Sequence, residues 1–203
     1  MGEARNRRGI DWMAAVHGGA SLPLGVLLVR LVGGWLSVDP LRAVILSTGR
    51  TALTLLVLSL ACTPVGWLIG RRVVVRARKL LGLYGFAYAA LHVVLFVGVD
   101  YGFDLRLVGG EVGGKRFLQA GLAAFLLLLP LALTSTGGWM RRLGRWWKVL
   151  HRLVYVAVPL AVLHWVWLLK VNRPLPWIYG VVVLALLALR LPLFPRRMAR
   201  LRR

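Results

Sequence analysis

The sequence predicts an all-α, polytopic membrane protein with six transmembrane helices and both termini in the cytoplasm. Three observations carry this. First, 59% of the 203 residues are hydrophobic, and apolar runs of 18 or more residues recur where about 20 suffice to cross a bilayer. Second, the basic residues alternate along the chain between dense and sparse connections. Third, the tryptophans fall at the ends of the apolar runs rather than in their middles.

The spans are expected at about 14–36, 47–69, 80–99, 117–136, 149–170 and 175–194. They leave little chain for a soluble domain, so residues 1–203 read as one transmembrane unit. Span 1 carries His17 and Arg30 and has no clear small-residue cleavage site, so it reads as a retained helix rather than a signal peptide. Span 2 holds the single cysteine, Cys62. One cysteine allows no disulfide, no CxxC zinc site and no CxxCH for covalent heme attachment, and its expected role is packing. Spans 3 and 5 carry His92, and His151 with His164. The longest connection, residues 98–116, is glycine-rich and holds Asp100, Asp104 and Glu111. It reads as a solvated outer loop whose short apolar pieces rest on the membrane surface. No internal repeat stands out.

A formal charge of +21 suggests nucleic acid in a soluble protein. Here its distribution argues otherwise. Seventeen basic residues precede span 1 or follow spans 2, 4 and 6, including Arg71, Arg76, Arg141 and Arg196; the intervening connections hold six. That asymmetry obeys the positive-inside rule and explains the charge with membrane lipid as the only polyanion. Trp12, Trp67, Trp139, Trp146 and Trp147 then fall at inner ends, and Trp35, Trp165, Trp167 and Trp177 at outer ends, as amphipathic indoles do.

All four histidines, His17, His92, His151 and His164, lie in spans. An imidazole in an apolar helix needs a hydrogen bond, a wet cavity or a metal. His92 stands seven residues before the outer end of span 3 and His164 six before that of span 5, so the two share a depth. His151 begins span 5 at the inner side, and His17 begins span 1 there. Two layers about 20 Å apart result, and imidazole is a standard axial ligand of heme iron. One or two non-covalent b-type hemes, held by His92 with His164 and by His151, would pass electrons across the membrane. An ideal helix turns His151 and His164 about 140° apart, and Pro159 between them is the expected kink. Anionic propionates need cationic partners: Arg50 suits the outer heme, and Arg78 and Arg152 the inner one. Snorkelling at helix ends explains the same arginines equally well.

The segments STGRTALTLLVLSLACTPV (47–65), RARKLLGLYGFAYAALHVVLF (76–96), LALTSTGGWMRRLGRWWKVLHRLVYVAVPLAVLHWVW (131–167) and HGGASLPL (17–24) resemble the MsrQ (YedZ) family. These are heme-binding membrane subunits of bacterial periplasmic methionine sulfoxide reductase systems, within the ferric-reductase-like transmembrane group that includes NADPH oxidases. The resemblance implies six spans in the bacterial inner membrane and b-type heme. It also implies electron delivery to a periplasmic molybdenum-cofactor reductase (MsrP-like) that repairs oxidised methionines. The donor it implies is the quinone pool or a cytoplasmic flavin reductase, and FMN binding is attributed to the family. By motif, His92, His151 and His164 match the heme histidines. The wider group carries a histidine pair on both the third and fifth spans, but fourteen residues before His92 this chain has Arg78. His17, Arg78 or a water is then left as the further inner ligand, with His17 favoured because a guanidinium has no lone pair to offer.

No GxGxxG follows a strand and no thiol pair is present, so the catalytic chemistry is assigned to a partner and this subunit to electron transfer. Three rivals remain. A transporter or metal carrier built on intramembrane histidines would want mid-membrane carboxylates and repeated halves. A self-contained ferric reductase would want its own nucleotide site. A structural anchor would carry no heme.

Overall fold

A computed structural model describes residues 2–69, 72–169 and 173–190. It is all-helical among these, as the sequence predicts: α1 Gly2–Val32, α2 Pro40–Ile69, α3 Arg72–Val94, α4 Leu105–Gly114, α5 Arg116–Leu133, α6 Gly137–Leu143, α7 Arg145–Leu150, α8 Val154–Leu168 and α9 Pro174–Ala188. Five segments are long and apolar enough to cross a membrane: Trp12–Val32, Pro40–Ile69, Val74–Asp100, Arg116–Leu133 and Arg145–Leu168. The sixth expected span is represented by α9, a shorter apolar helix that gives way to a turn at 189–190, and the last part of its expected range, 191–194, lies outside the described residues. The chain is a multi-pass membrane protein.

Several boundaries differ from the sequence expectation for local reasons. Helix α2 starts seven residues early because Pro40 opens it, where its missing N–H costs nothing, and the Asp39 carboxylate accepts from the Arg42 N–H at 2.9 Å. The third span ends in a π-helical turn, Leu95–Asp100. The connection expected as a solvated outer loop contains α4, capped by Asp104, whose carboxylate accepts from the N–H groups of Arg106 and Leu107 at 2.9 and 3.0 Å. Before it the chain turns through Gly102 and Phe103 at positive φ (56° and 61°). The Phe103 ring lies where a Cβ on Gly98 would stand, 2.6 Å from the nearest ring atom.

The bundle is built from two helical hairpins. Helix α2 packs chiefly on α3, and α5 chiefly on α8. Between them a core of Leu53, Leu56, Val57, Leu60, Leu128, Leu131, Ala157, Val158, Val162 and Val183 brings α9 in as well. Gly85 admits the Leu56 side chain to within 2.9 Å of where its Cβ would be, the close approach of small residues that membrane helices use in place of a hydrophobic driving force. Stacked Phe86 and Phe125, 5.7 Å apart, join α3 to α5.

Prolines inside α1, α2, α5 and α8 each remove a ladder N–H. In α2, Pro64 orphans the carbonyl of Leu60, and the Arg190 guanidinium just past α9 donates to that oxygen and to the Tyr155 hydroxyl (2.8 Å). Near Pro23 of α1, the buried Tyr88 hydroxyl donates to the Ala20 carbonyl at 2.9 Å and accepts from the Leu24 N–H at 3.0 Å. These side chains do for the backbone what water does outside a bilayer.

Candidate functional site

The matched depth of His92 on α3 and His164 on α8 becomes a contact: their ring centres are 6.2 Å apart and their planes cross at 78°. Each ring is half-buried and fixed from behind by the other helix of its own hairpin. His92 Nδ1 lies 2.8 Å from the Ile45 carbonyl of α2, and His164 Nδ1 lies 2.7 Å from the Phe117 carbonyl of α5. A carbonyl only accepts, so Nδ1 carries the hydrogen in both rings. In the neutral imidazole that leaves Nε2, on the opposite side of the ring, with a free lone pair. Metal-binding histidines are oriented in this way, by donating their other N–H to a carbonyl or carboxylate.

The spacing fits a shared metal centre. Two imidazole–metal bonds of roughly 2.0–2.1 Å placed end to end, plus the two ring radii, span roughly 6.3 Å between ring centres. Among the described residues no group of three or more His, Cys, Asp or Glu comes together. The pair is therefore the arrangement to be explained, and two imidazoles on facing helices, each with Nε2 unengaged by the backbone, would suit the iron of a heme.

The two halves of the pair follow one rule. Each histidine is bonded to a carbonyl 47 residues earlier, and four residues beyond each carbonyl stands a glycine, Gly49 or Gly121. Ile45, Gly49 and His92 thus recur as Phe117, Gly121 and His164 at one constant offset. Both hairpins run the same way, so the repeat is parallel, and the imidazole pair lies between its two units. The sequence reading found no repeat because leucine and alanine populate all these helices and mask the few equivalent positions. The equal spacing from glycine to histidine was the available signal.

His151 stands apart. Its Nδ1 donates to the Trp147 carbonyl one turn back at 3.0 Å, its ring stacks on the Trp147 indole at 3.9 Å, and Nε2 is 3.5 Å from the Ser135 hydroxyl. His17 does not join it. The His17 ring is exposed and its Nδ1 lies 2.9 Å from the Tyr84 hydroxyl. Tyr84 is eight residues before His92 on α3, about 12 Å along the helix, and its hydroxyl, not His151, is what His17 meets. Arg78 is near enough to act electrostatically on His151, and its carbonyl accepts from the Ser59 hydroxyl at 2.7 Å.

The phase problem along the fifth span has a structural answer that Pro159 alone did not suggest. Residues His151–Leu153 form a 3-10 turn between α7 and α8. Three steps of about 120° in place of 100° bring the two imidazole directions from about 140° to about 80° apart.

Of the proposed propionate partners, Arg50 is exposed on α2, its guanidinium 5.7 Å from the Trp165 ring centre next to His164. Arg152 is exposed beside His151. On the same basic end, Thr136 caps α6 by accepting from the Trp139 N–H at 3.4 Å, Gly144 (φ 50°) turns the chain into α7, and Arg142 and Arg145 lie over Trp139 and Trp146. Outside the spans at the other end, Lys115 pairs with Glu111, whose hydrogen bond raises the lysine pKa.

Residues 48–162 match the model of the ferric reductase like transmembrane component family. Over 183 residues the chain is 40% identical to the "Protein-methionine-sulfoxide reductase heme-binding subunit MsrQ" of Caulobacter vibrioides, covering 90% of this chain and 85% of that one. The protein of the same name from Yersinia enterocolitica is 40% identical over 90% of this chain and 93% of its own. That from Salmonella paratyphi B is 38% identical over 89% and 92%. No solved structure matches.

Proposed function

We propose, because this chain belongs to the ferric reductase like transmembrane family and within it to the MsrQ proteins, that it is the b-heme membrane subunit of a methionine sulfoxide reductase system. The observation that carries the proposal is the imidazole pair on α3 and α8, 6.2 Å apart with both Nδ1 atoms held by backbone carbonyls. His92 and His164 are the proposed axial ligands, each presenting Nε2. Bound there, a heme supplies a one-electron carrier. The chain contributes orientation, through Ile45 and Phe117, and an apolar surround that keeps water from the iron.

His151 is the proposed ligand of a second heme at the basic end, with its own N–H engaged by Trp147. Arg78 and Arg152 there, and Arg50 at the other end, are the proposed propionate partners. Arg78 is a further-ligand candidate only through a water, and His17, held by the Tyr84 hydroxyl, stands closer to a structural role. With the basic end cytoplasmic and the membrane the bacterial inner membrane, electrons enter from quinone or a cytoplasmic flavin reductase, with FMN as the flavin. They leave at the His92–His164 end to a periplasmic, MsrP-like molybdoenzyme that reduces oxidised methionine. The chain is then an electron-transfer subunit whose partner does the catalysis.

The test is heme content per chain with reduced-minus-oxidised spectra, on wild type and on His92→Ala, His164→Ala and His151→Ala. The first two are expected to lose the same heme; His151→Ala is expected to lose only the other. A folded wild type without heme, grown with ample heme, overturns the proposal in favour of an anchor or transporter.

A further inference from the structure

The glycines behind the two rings lie directly against the imidazoles of the candidate pair. An ideal Cβ on Gly121 would lie 2.6 Å from His164 Nδ1 and 3.0 Å from its Cε1. One on Gly49 would lie 2.9 Å from His92 Nδ1 and 3.0 Å from its Cε1. Gly180 on α9, by contrast, would meet only the Val162 side chain at an ordinary 3.6 Å. The rings therefore lie on bare backbone, and the same atom that a Cβ would strike is the one bonded to the carbonyl one turn earlier.

We infer that Gly49 and Gly121 are positioning residues. By carrying no side chain they let each imidazole lie flat enough on α2 or α5 for Nδ1 to reach Ile45 or Phe117, and so they aim Nε2 and set the crossing angle of the rings. The inference rests on the proposed heme reading and adds to it two residues that act through the imidazoles. The physical chain is short. A methyl group at Gly121 pushes the ring off the helix, the Nδ1–carbonyl bond lengthens, and the ring loses both its fixed tautomer and its fixed rotation. Outer-shell partners of metal-binding histidines commonly matter by 10–100-fold in affinity. The two sites are graded: the contact at Gly121 is the shorter, so its substitution has the larger effect. The ring planes cross at 78°, and near-perpendicular imidazoles give low-spin ferric heme a strongly anisotropic paramagnetic spectrum dominated by one large-g feature. Rotation of either ring shifts that feature.

The experiment compares purified holoprotein of wild type, Gly49→Ala, Gly121→Ala and Gly180→Ala, with His92→Ala and His164→Ala as references. It reads heme per chain, the low-spin paramagnetic resonance spectrum and the midpoint potential. Gly121→Ala is expected to hold heme about tenfold or more weakly, with the large-g feature shifted or lost. Gly49→Ala is expected to show a smaller shift in the same direction, and Gly180→Ala none. If both glycine variants keep wild-type heme content, spectrum and potential while the histidine variants lose heme, the inference fails and the heme reading stands. If histidine variants keep their heme, the ligand reading itself fails. Should Gly121→Ala not yield a monodisperse preparation, Gly49→Ala decides alone.

Discussion

His164 is bonded on one nitrogen and open on the other, and that asymmetry is the smallest unit of the functional argument. The Phe117 carbonyl at 2.7 Å fixes the tautomer; an alternative ring that donated from Nε2 would set the bare Nδ1 lone pair against the carbonyl oxygen, two acceptors facing each other. His92 repeats the arrangement with Ile45. Substituting either histidine by alanine therefore removes a candidate ligand and also the side-chain hydrogen bond to that carbonyl, at a cost of about 0.5–1.5 kcal/mol. His92→Gln keeps a donor for the carbonyl, so it is expected to lose heme while recovering part of the melting temperature lost in His92→Ala. Absorbance spectra and thermal unfolding in detergent, run on the same samples, separate the two effects. His151 is held chiefly within its own segment, by the Trp147 carbonyl one turn back, with the Ser135 hydroxyl a longer contact at 3.5 Å. Its contribution is expected to be spectral with little change in stability.

At the scale of the element, the helices are interrupted and repaired by side chains from their neighbours. Pro64 leaves the Leu60 carbonyl without its N–H, and Arg190 supplies the missing donor from beyond α9. Arg190→Leu is expected to cost about 2 kcal/mol through the lost charge-assisted bonds. Restoring the backbone donor with Pro64→Ala is expected to recover part of that loss, so a double-mutant cycle on thermal stability reads the coupling; strictly additive effects would show that Arg190 does not serve Leu60. Tyr88 serves α1 similarly, joined to Ala20 and Leu24 through one buried hydroxyl. Tyr88→Phe is expected to cost about 1–3 kcal/mol and to speed proteolysis within α1 ahead of the other helices. The 3-10 turn at His151–Leu153 is the interruption that bears on the proposed site, because it turns His151 relative to His164.

Across the whole molecule, the candidate site joins the two hairpins, α2–α3 and α5–α8. A group bound by His92 and His164 ties the halves together and stabilises only the folded bundle. Removing heme is expected to lower the unfolding temperature, and the loss should vanish in His92→Ala or His164→Ala, which have no heme there to lose; calorimetry of holo and heme-depleted protein checks this. The membrane class, the approximate spans, the alternating charge and the equal depth of His92 and His164 were all legible in the sequence, because hydropathy, charge and helical rise add up locally along the chain. Three things were decided only by the tertiary structure. One is the capture of Nδ1 by carbonyls of α2 and α5 beside two glycines; another is the engagement of His17 by Tyr84; the third is the service of Arg190 to a proline-broken helix. Each depends on how neighbouring helices are rotated and slid against one another, and in an apolar bundle that register is set by close packing of small and large side chains, which leaves no periodic mark on hydropathy.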